Sequence, residues 1–187
     1  MKTLIIVISG LPCTGKTTLG RKIAKEFWLP FISRDDIKES LFNSLGWQDR
    51  EWSKKLGIAS YDLLYYFLKT QVFAGKSLVL ESNFMPKFDT NKFLDLQNQY
   101  NLNIFQIHCI ADPAVLFDRF KNRAESGERH PGHVDRLNYD EFQKTLEEGG
   151  YDIINIDSNI FEIDTTDFEK IEYQKLFEEI KSILVQE

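Results

Sequence analysis

The feature that most constrains this chain is a glycine-rich string between a short apolar run and an amphipathic segment. Residues 10–17 read Gly-Leu-Pro-Cys-Thr-Gly-Lys-Thr, which matches the Walker A pattern G-x-x-x-x-G-K-[ST] without a gap. The apolar run 4–8 before it predicts a buried strand, and apolar side chains at 19, 23 and 27 recur on one helical face after it. A strand, a glycine-rich loop and a helix in this order form a cradle for phosphate groups.

An apolar run near the start of a chain can also belong to an export signal. This run spans only residues 4–8, whereas the apolar region of a signal peptide has roughly 7–15 residues, and no small-x-small cleavage site follows it. Pro12 directly before Cys13 also argues against a lipoprotein cleavage site. We therefore interpret the run as a strand of the folded protein.

The residue types of the loop suit the binding of a nucleoside triphosphate. Glycines let consecutive backbone N–H groups turn towards phosphate oxygens, and the helix that follows adds its positive end. Lys16 is expected to reach the β- and γ-phosphates, and Thr17 to offer its hydroxyl to Mg²⁺. The predicted cofactor-binding residues are Gly10, Leu11, Pro12, Cys13, Thr14, Gly15, Lys16, Thr17 and Thr18.

Cys13 has two interpretations. At the N-terminus of a helix its thiol would have a lowered pKa and would be reactive. A small residue that fills a variable position of the loop would look the same, and we favour this second interpretation.

Composition limits the class of protein. The chain has 187 residues with 42% hydrophobic and 28% charged, and this is typical of one globular domain over residues 1–187. Its two cysteines lie far apart in sequence and form no disulfide framework, which favours the reducing cytoplasm. No stretch approaches the roughly 18 consecutive apolar residues of a membrane span, so no membrane association is expected.

The net charge of −6 is unevenly distributed. Residues 1–138 carry 19 Lys and Arg against 15 Asp and Glu, whereas residues 139–187 carry 4 against 14. The acidic end predicts a solvated surface. Residues that bind phosphate are therefore expected in the first three quarters of the chain. An acidic chain argues against broad coating of nucleic acid, although a local basic channel is compatible with it.

Short apolar runs alternate with longer helical patterns along the whole chain. The predicted strands cover 4–8, 30–33, 77–81 and 103–110, with two short β segments at 153–156 and 161–164. The predicted helices cover 16–27, 36–45, 51–74, 89–100, 113–125, 139–148 and 167–185, and residues 126–138 form a loop. This alternation predicts a three-layer α/β/α sandwich with a mostly parallel five-stranded sheet, whose ligands lie beyond the carboxyl ends of the strands.

Three further strings follow the predicted order of elements: Ser33 to Ser40 after the second strand, Glu81 to Phe84 after the third, and Arg119-x-x-x-Arg123 on a late helix. Together with the loop they resemble P-loop kinases. The motifs are most similar to the branch that contains phage polynucleotide kinase, chloramphenicol phosphotransferase and zeta-toxin-like kinases. The resemblance implies a P-loop nucleoside triphosphate hydrolase fold with a small helical lid at about 116–138, and ATP and Mg²⁺ as cofactors.

Asp35 is the predicted catalytic carboxylate. It directly follows the second strand, where an acceptor hydroxyl should meet the γ-phosphate, and a carboxylate there can accept the hydroxyl proton. The resemblance assigns this role to Asp35, although an aspartate here can also simply cap the next helix. Lys38, one turn later, and Asn83 are predicted to contact the acceptor, although a plain turn residue would look like Asn83.

The remaining predicted residues bind Mg²⁺ or stabilise the negative charge of the phosphates. Glu81 ends an apolar strand beside the loop and is expected to hold Mg²⁺ together with Thr17. The resemblance implies that Arg119 and Arg123, which lie four residues apart on one helix face, stabilise the transferred phosphoryl group together with Lys16. A surface salt-bridge face with Asp118 and Glu125 is the alternative for these arginines. His130 and His133 lack further ligands for a metal site, so they indicate a lid loop instead.

The sequence therefore predicts an ATP-dependent phosphotransferase that acts on an alcohol group of a small molecule or of a nucleic-acid end, with the small molecule favoured. A regulatory ATPase or switch module without an acceptor is the alternative. A GTPase is not supported, because the chain shows neither N-K-x-D at the required spacing nor D-x-x-G after the third strand.

Overall fold

Five strands form one sheet in the computed structural model, which describes residues 2–185. The strands are β1 (Thr3–Gly10), β2 (Phe31–Ser33), β3 (Leu78–Glu81), β4 (Leu102–Ile110) and β5 (Asn159–Asp164). The helices are α1 (Lys16–Phe27), α2 (Arg34–Leu45), α3 (Arg50–Phe73), α4 (Pro86–Gln99), α5 (Pro113–Ser126), α6 (Tyr139–Glu147) and α7 (Tyr173–Val185). Short 3-10 turns occupy Pro131–His133, Asp135–Leu137 and Phe168–Lys170.

The strand β1 lies at the centre of the sheet. The spatial order is β2-β3-β1-β4-β5, and all four pairs of neighbouring strands are parallel. All eight residues of β1 are buried, because a central parallel strand is covered by helices on both faces. A continuous apolar run is therefore the pattern that this position requires.

The two faces of β1 pack into two separate hydrophobic layers. Leu4, Ile6 and Ile8 belong to a cluster with residues of α1 and α7, and Ile5 and Val7 belong to a cluster with residues of α3 and α4. Successive side chains of a strand point to opposite faces, so one strand supports both layers. The predicted three-layer α/β/α sandwich is thus confirmed, with a sheet that is parallel throughout.

Two segments differ from the sequence-based predictions. Residues 153–156 form no strand, because the side chain of Gln106 on β4 holds this segment through the carbonyl of Ile154 at 2.9 Å, and β5 pairs with β4 instead. The predicted helix 167–185 begins only at Tyr173, after the 3-10 turn at Phe168–Lys170. Apolar content alone could not separate an anchored extended segment from a paired strand.

Parallel pairing places the carboxyl ends of all strands along one edge of the sheet. Gly10, Ser33 and Glu81 end β1, β2 and β3 there, and the loops that follow these residues meet at the same edge. This is where ligands bind in open α/β sheets.

Candidate active site

The glycine-rich loop joins β1 to α1, and two of its glycines are required by geometry. Gly10 has φ 132°, and a Cβ there would collide with the backbone carbonyl of Cys109 on β4. Gly15 has φ 79°, and a Cβ there would lie 2.8 Å from the ring of Phe168. Because these positions exclude a side chain, the loop backbone can curl tightly ahead of α1.

Lys16 is buried at the first position of α1. Its Nζ donates a hydrogen bond to the carbonyl of Leu11 at 2.7 Å, and the hydroxyl of Thr14 donates to the same oxygen at 2.9 Å. Burial lowers the pKa of Lys16, while the negative charge of Glu81 opposes this shift. The ammonium group of Lys16 thus contacts the backbone of the loop and lies near the acidic side chain of Glu81.

Cys13 does not carry the activated thiol that a helix N-terminus alone would suggest. It adopts φ 69° in the loop, and burial raises the pKa of its thiol despite the positive charges of Arg123 and Arg129 nearby. The thiol is therefore protonated at neutral pH, which agrees with its interpretation as a small filler.

Thr17 and Glu81 form a small oxygen-rich group beside the loop. The hydroxyl of Thr17 donates to Glu81 Oε2 at 3.1 Å, and the hydroxyl of Ser33 donates to the same oxygen at 2.7 Å. Mg²⁺ in nucleotide sites takes one or two protein oxygens and completes its shell with water and phosphate. A hydroxyl and a carboxylate in contact fit that requirement, and within residues 2–185 no cluster of three or more His, Cys, Asp or Glu residues forms a separate metal site.

A cleft of about 1330 Å³ opens at this edge of the sheet, and most of the predicted site residues line it. Of the predicted residues, Pro12, Cys13, Gly15, Lys16, Thr17, Thr18, Asp35, Lys38, Glu81, Asn83, Arg119 and Arg123 line it. Its wall carries nine Lys and Arg side chains against seven Asp and Glu side chains. The cleft is thus locally basic on an acidic chain, as the binding of anionic ligands requires.

Asp35 lies in this cleft at the start of α2, between two arginines. Arg34 donates to Oδ1 at 2.7 Å, and Arg129 from the loop after α5 donates to Oδ2 at 2.8 Å. Burial alone would raise the pKa of Asp35, but the two guanidinium groups outweigh it and hold the pKa well below its ordinary value. Asp35 is therefore ionised at neutral pH.

Arg129 connects the loop between α5 and α6 to α2. It forms a second ion pair with Asp135 at 2.8 Å and donates to Nδ1 of His133 at 3.0 Å. Because a guanidinium group can only donate, Nδ1 accepts, and Nε2 of His133 carries the proton that Glu39 accepts at 2.9 Å. Burial also lowers the pKa of His133, which favours this neutral form.

Lys38 is buried one turn after Asp35. Its Nζ donates to the hydroxyl of Ser53 on α3 at 3.0 Å. Burial lowers its pKa to about 8, and the positive charge of Arg34 contributes to the shift. The ammonium group therefore lacks the compensation that an acidic partner would supply.

Removing the charge of Lys38 is expected to change how stability depends on pH. The pKa of Lys38 is about 8 in the folded protein, below the ordinary 10.5, so between these values the unfolded chain binds the additional proton. The free energy of unfolding of the wild-type protein should therefore rise, relative to that of Lys38→Met, as pH increases through this range. Urea unfolding of both proteins at several pH values measures the difference, and parallel curves would contradict the prediction.

The two predicted arginines of α5 have different partners. Arg119 donates to the carbonyls of Thr165 and Thr166 at 2.9 Å each, and its guanidinium lies 3.8 Å from the ring centre of Phe168. Arg123 lies 3.4 Å from Asp135 in the segment between α5 and α6. Neither forms the surface salt bridges with Asp118 or Glu125 that the alternative interpretation required, and both line the cleft.

The other predicted positions fall at the edges of the cleft. The carbonyl of Asn83 accepts a hydrogen bond from the hydroxyl of Tyr61 at 3.0 Å, and Asn83 itself lines the cleft. His130 stacks on Phe42 with 5.1 Å between ring centres, and His133 packs on the same ring at 5.3 Å. These histidines attach the loop to α2.

Sequence reasoning missed Arg129 and Arg34, the two partners of Asp35. Arg34 lies in the string 33–40, in which only Asp35 and Lys38 were predicted to act. Arg129 lies 94 residues from Asp35 in sequence, and a basic residue in a Gly- and Pro-containing loop was the one signal available.

Comparisons with known proteins agree with this architecture. The profile of the protein family AAA_33, described as an AAA domain, matches residues 5–149. The structure of a candidate kinase from Chloroflexus aurantiacus is 32% identical, has a TM-score of 0.88, and the match covers 97% of this chain and 98% of that chain. No curated protein matches the sequence.

More distant structures share the fold. A gluconokinase from Sinorhizobium meliloti is 14% identical with a TM-score of 0.56, and the match covers 99% of this chain and 97% of that chain. A shikimate kinase from Bacteroides thetaiotaomicron is 20% identical with a TM-score of 0.53, and the match covers 97% and 98%. In residues 2–185, we find no helix whose length and apolar character would let it cross a membrane.

Proposed function

The chain belongs to the protein family described as an AAA domain, and on this premise we propose that it is an ATP-dependent kinase that transfers the γ-phosphate of ATP to a hydroxyl group of a small molecule. The observation that carries the proposal is that an ionised carboxylate, Asp35, lies in the same cleft as Lys16 of the phosphate-binding loop. The two groups are close enough for the charge of Asp35 to raise the pKa of Lys16. A site that only bound Mg²⁺·ATP would need an acid such as Glu81 for the metal, but no second ionised acid such as Asp35 in the same cleft.

The transfer step assigns separate tasks to the two groups. The acceptor oxygen forms a bond to the γ-phosphorus, the bond to the bridging oxygen of the β-phosphate breaks, and ADP leaves with that electron pair. The hydroxyl proton passes to Asp35. Each carboxylate oxygen has two lone pairs, so Asp35 can accept from an acceptor hydroxyl while it remains paired with Arg34 and Arg129. Because its pKa is low, Asp35 contributes mainly by orienting the hydroxyl and accepts the proton late.

Charge compensation comes from the loop and the lid. Lys16 and the loop N–H groups would bind the β- and γ-phosphates, and Arg123 and Arg129 line the same cleft. Thr17 and Glu81 would hold Mg²⁺, which in such sites neutralises part of the phosphate charge. Most of the catalysis would then come from positioning and from fixed charges, as is typical of phosphoryl transfer.

Arg119 and Phe168 would bind the nucleoside end of ATP. The guanidinium of Arg119 lies 3.8 Å from the ring centre of Phe168, and this ring lies beside Gly15 of the loop. A planar cation and an aromatic ring form a surface on which a purine base can stack. We therefore assign Arg119 to the base and leave phosphate stabilisation to Lys16, Arg123 and Arg129.

A small-molecule acceptor is favoured over a nucleic-acid end. The chain as a whole is acidic, and the cleft wall carries seven acidic side chains beside its nine basic ones, so the excess of positive charge available to a polynucleotide backbone is small. The gluconokinase and the shikimate kinase that share the fold are kinases of small molecules by name. Membership in the branch of polynucleotide kinase, chloramphenicol phosphotransferase and zeta-toxin-like kinases stays a prediction.

The proposal is tested by ADP release in the presence of Mg²⁺·ATP and a panel of hydroxyl compounds. Thermal unfolding with a non-hydrolysable ATP analogue selects the compounds that bind, since a bound ligand raises the melting temperature. We expect ADP release to depend on at least one such compound. Hydrolysis of ATP at the same rate with and without every compound would support the alternative, an ATPase or switch module without an acceptor.

A further inference from the structure

Tyr61 packs against Arg34, one of the two arginines that pair with Asp35. Tyr61 lies on α3, and its ring centre is 5.0 Å from the guanidinium carbon of Arg34. Both side chains line the cleft. A guanidinium group within about 6 Å of an aromatic ring is attracted by the electron-rich face of that ring. The ring therefore limits the positions that Arg34 can take beside Asp35.

The hydroxyl group of Tyr61 attaches this ring to the end of β3. It donates to the carbonyl of Asn83 at 3.0 Å and accepts from the hydroxyl of Ser82 at 3.1 Å. The backbone N–H of Ser82 in turn donates to the carbonyl of Ile8 on β1 at 3.2 Å. Because the hydroxyl both donates and accepts, its two bonds fix the ring relative to the sheet.

Arg34 needs a contact of this kind to stay in one place. Its Nη2 donates to Oδ1 of Asp35 at 2.7 Å. Its Nε is buried, and within residues 2–185 this nitrogen has no hydrogen-bond partner. A long side chain keeps rotational freedom unless hydrogen bonds and packing remove it. The ring of Tyr61 supplies such packing.

The two arginines hold Asp35 in different ways. Arg129 comes from the segment between α5 and α6, and it is also paired with Asp135 at 2.8 Å. Arg34 precedes Asp35 directly and lies on the same helix, so its contact does not depend on where that segment lies. The contact of Arg34 with Oδ1 therefore sets the orientation of the carboxylate relative to α2 and α3.

We propose that Tyr61 is a positioning residue for phosphoryl transfer: it holds Arg34 against Asp35 and so fixes the direction in which the carboxylate faces the acceptor hydroxyl. The proposal rests on the proposed kinase function for the transfer step. Tyr61 itself exchanges no proton, since the hydroxyl proton passes to Asp35. A misdirected carboxylate lowers the fraction of bound complexes in reactive geometry, so the effect is expected in kcat.

The kinetic test compares two substitutions of Tyr61 with a control on the same helix. Tyr61→Leu removes the ring and should lower kcat by about 3–30-fold, the range of a cation–π contact, with KM for ATP and for the acceptor unchanged within about twofold. Tyr61→Phe keeps the ring face and should lie between Tyr61→Leu and wild type. Tyr66→Leu should match wild type, because Tyr66 is 63% exposed and lies outside the cleft wall. The acceptor is the hydroxyl compound that gives the largest thermal shift in the panel described above.

A double-mutant cycle shows whether Tyr61 acts through Arg34. If it does, Tyr61→Leu should lower kcat in the wild-type background but should have no further effect in Arg34→Met. Losses that multiply in the double variant would indicate that Tyr61 acts by another route, such as direct contact with the acceptor, and would contradict the proposal.

The ionisation of Asp35 gives a readout that needs no acceptor. The charged or titratable groups that act on Asp35 or pair with it are Lys16, Arg34, Lys38, Glu39, Arg129 and His133. In Tyr61→Leu a less firmly held Arg34 stabilises the carboxylate less, so the pKa of Asp35 should rise. The carboxyl ¹³C resonance that is absent from Asp35→Asn should therefore titrate about 0.5–1 pH unit higher in Tyr61→Leu than in wild type. Tyr66→Leu should titrate as wild type does, and Tyr61→Phe replaces Tyr61→Leu if the leucine variant does not fold.

Three results would overturn the positioning role: an unchanged kcat in Tyr61→Leu, a change in KM alone, or an Asp35 titration that is the same in all variants. The kinase assignment fails in a different way, if no compound of the panel is phosphorylated by the wild-type protein. In that case the titration still shows whether Tyr61 holds Arg34 against Asp35. The two failures are therefore distinguishable.

Discussion

Replacing Asp35 with asparagine is expected to lower kcat by about 10²–10⁴-fold, the usual contribution of a positioned general base. The amide keeps the shape of the side chain, but it cannot accept the hydroxyl proton. Nucleotide binding should be preserved, because Asp35 lies on α2 and not in the phosphate-binding loop. The measurement is ADP release with an acceptor selected by thermal unfolding, together with titration of the ATP analogue into wild type and variant.

Asp36→Asn is the matched control for this substitution. Asp36 is the next residue, but its carboxylate is exposed and pairs with Arg21 at 2.8 Å, also at the surface. An exposed pair of this kind contributes about 0–1 kcal/mol to stability, so the control should fold and turn over within a few-fold of wild type. Equal losses in both variants would indicate that the α2 N-terminus has been disturbed and would contradict a specific role for Asp35.

The second large effect is expected for Lys16→Met. Loss of the ammonium group removes a fixed positive charge from the β- and γ-phosphates, and loss of one such preorganised group typically lowers kcat by about 10²–10³-fold. ATP should also bind more weakly, because the same charge acts in the ground state. Kinetics of ADP release and titration of the ATP analogue measure the two effects separately.

The fold should tolerate this change. Lys16 is buried and burial lowers its pKa, so a methionine of similar length removes an unfavourable charge from the empty protein. Lys22→Met serves as the control on the same helix, since Lys22 is exposed and contacts the ring of Tyr173 at 3.5 Å, outside the cleft wall. An unchanged kcat in Lys16→Met, or a loss of the same size in Lys22→Met, would contradict the proposed role.

The local elements of the site could be predicted because they depend on short-range rules. A strand, two geometrically required glycines and a helix place Gly10 to Thr18 at the turn from the end of β1 into the first residues of α1, and this arrangement is the one in the structure. The same rules placed Asp35 and Glu81 at the carboxyl ends of β2 and β3. Their catalytic and metal-binding roles stay predictions that the substitutions above would test.

Segments whose structure depends on residues distant in sequence were predicted less well. The apolar segment 153–156 has the composition of a strand, but hydrogen bonds from Gln106 to Ile154 and Ser158 hold it outside the sheet. Strand pairing is decided by which backbone reaches the free edge of β4, and that edge is occupied by β5. Sequence periodicity contains no information about this competition.

Electrostatic properties of the site could not be predicted for a similar reason. A pKa depends on burial and on charges within a few ångströms, and most of these charges are distant in sequence. Arg129 reaches Asp35 across 94 residues, and Ser53 reaches Lys38 from another helix. The shared carboxylate and the uncompensated ammonium group are therefore properties of the folded chain.

By itself, the sequence determined the phosphate-binding loop, the α/β layering and the edge of the sheet at which ligands bind, because backbone conformation and hydrophobic periodicity are local. The tertiary structure decided the strand order β2-β3-β1-β4-β5, the pairing of Asp35 with Arg34 and Arg129, and the isolation of the Lys38 charge. These arise from contacts between residues far apart in the chain, whose distances exist only once the chain has folded.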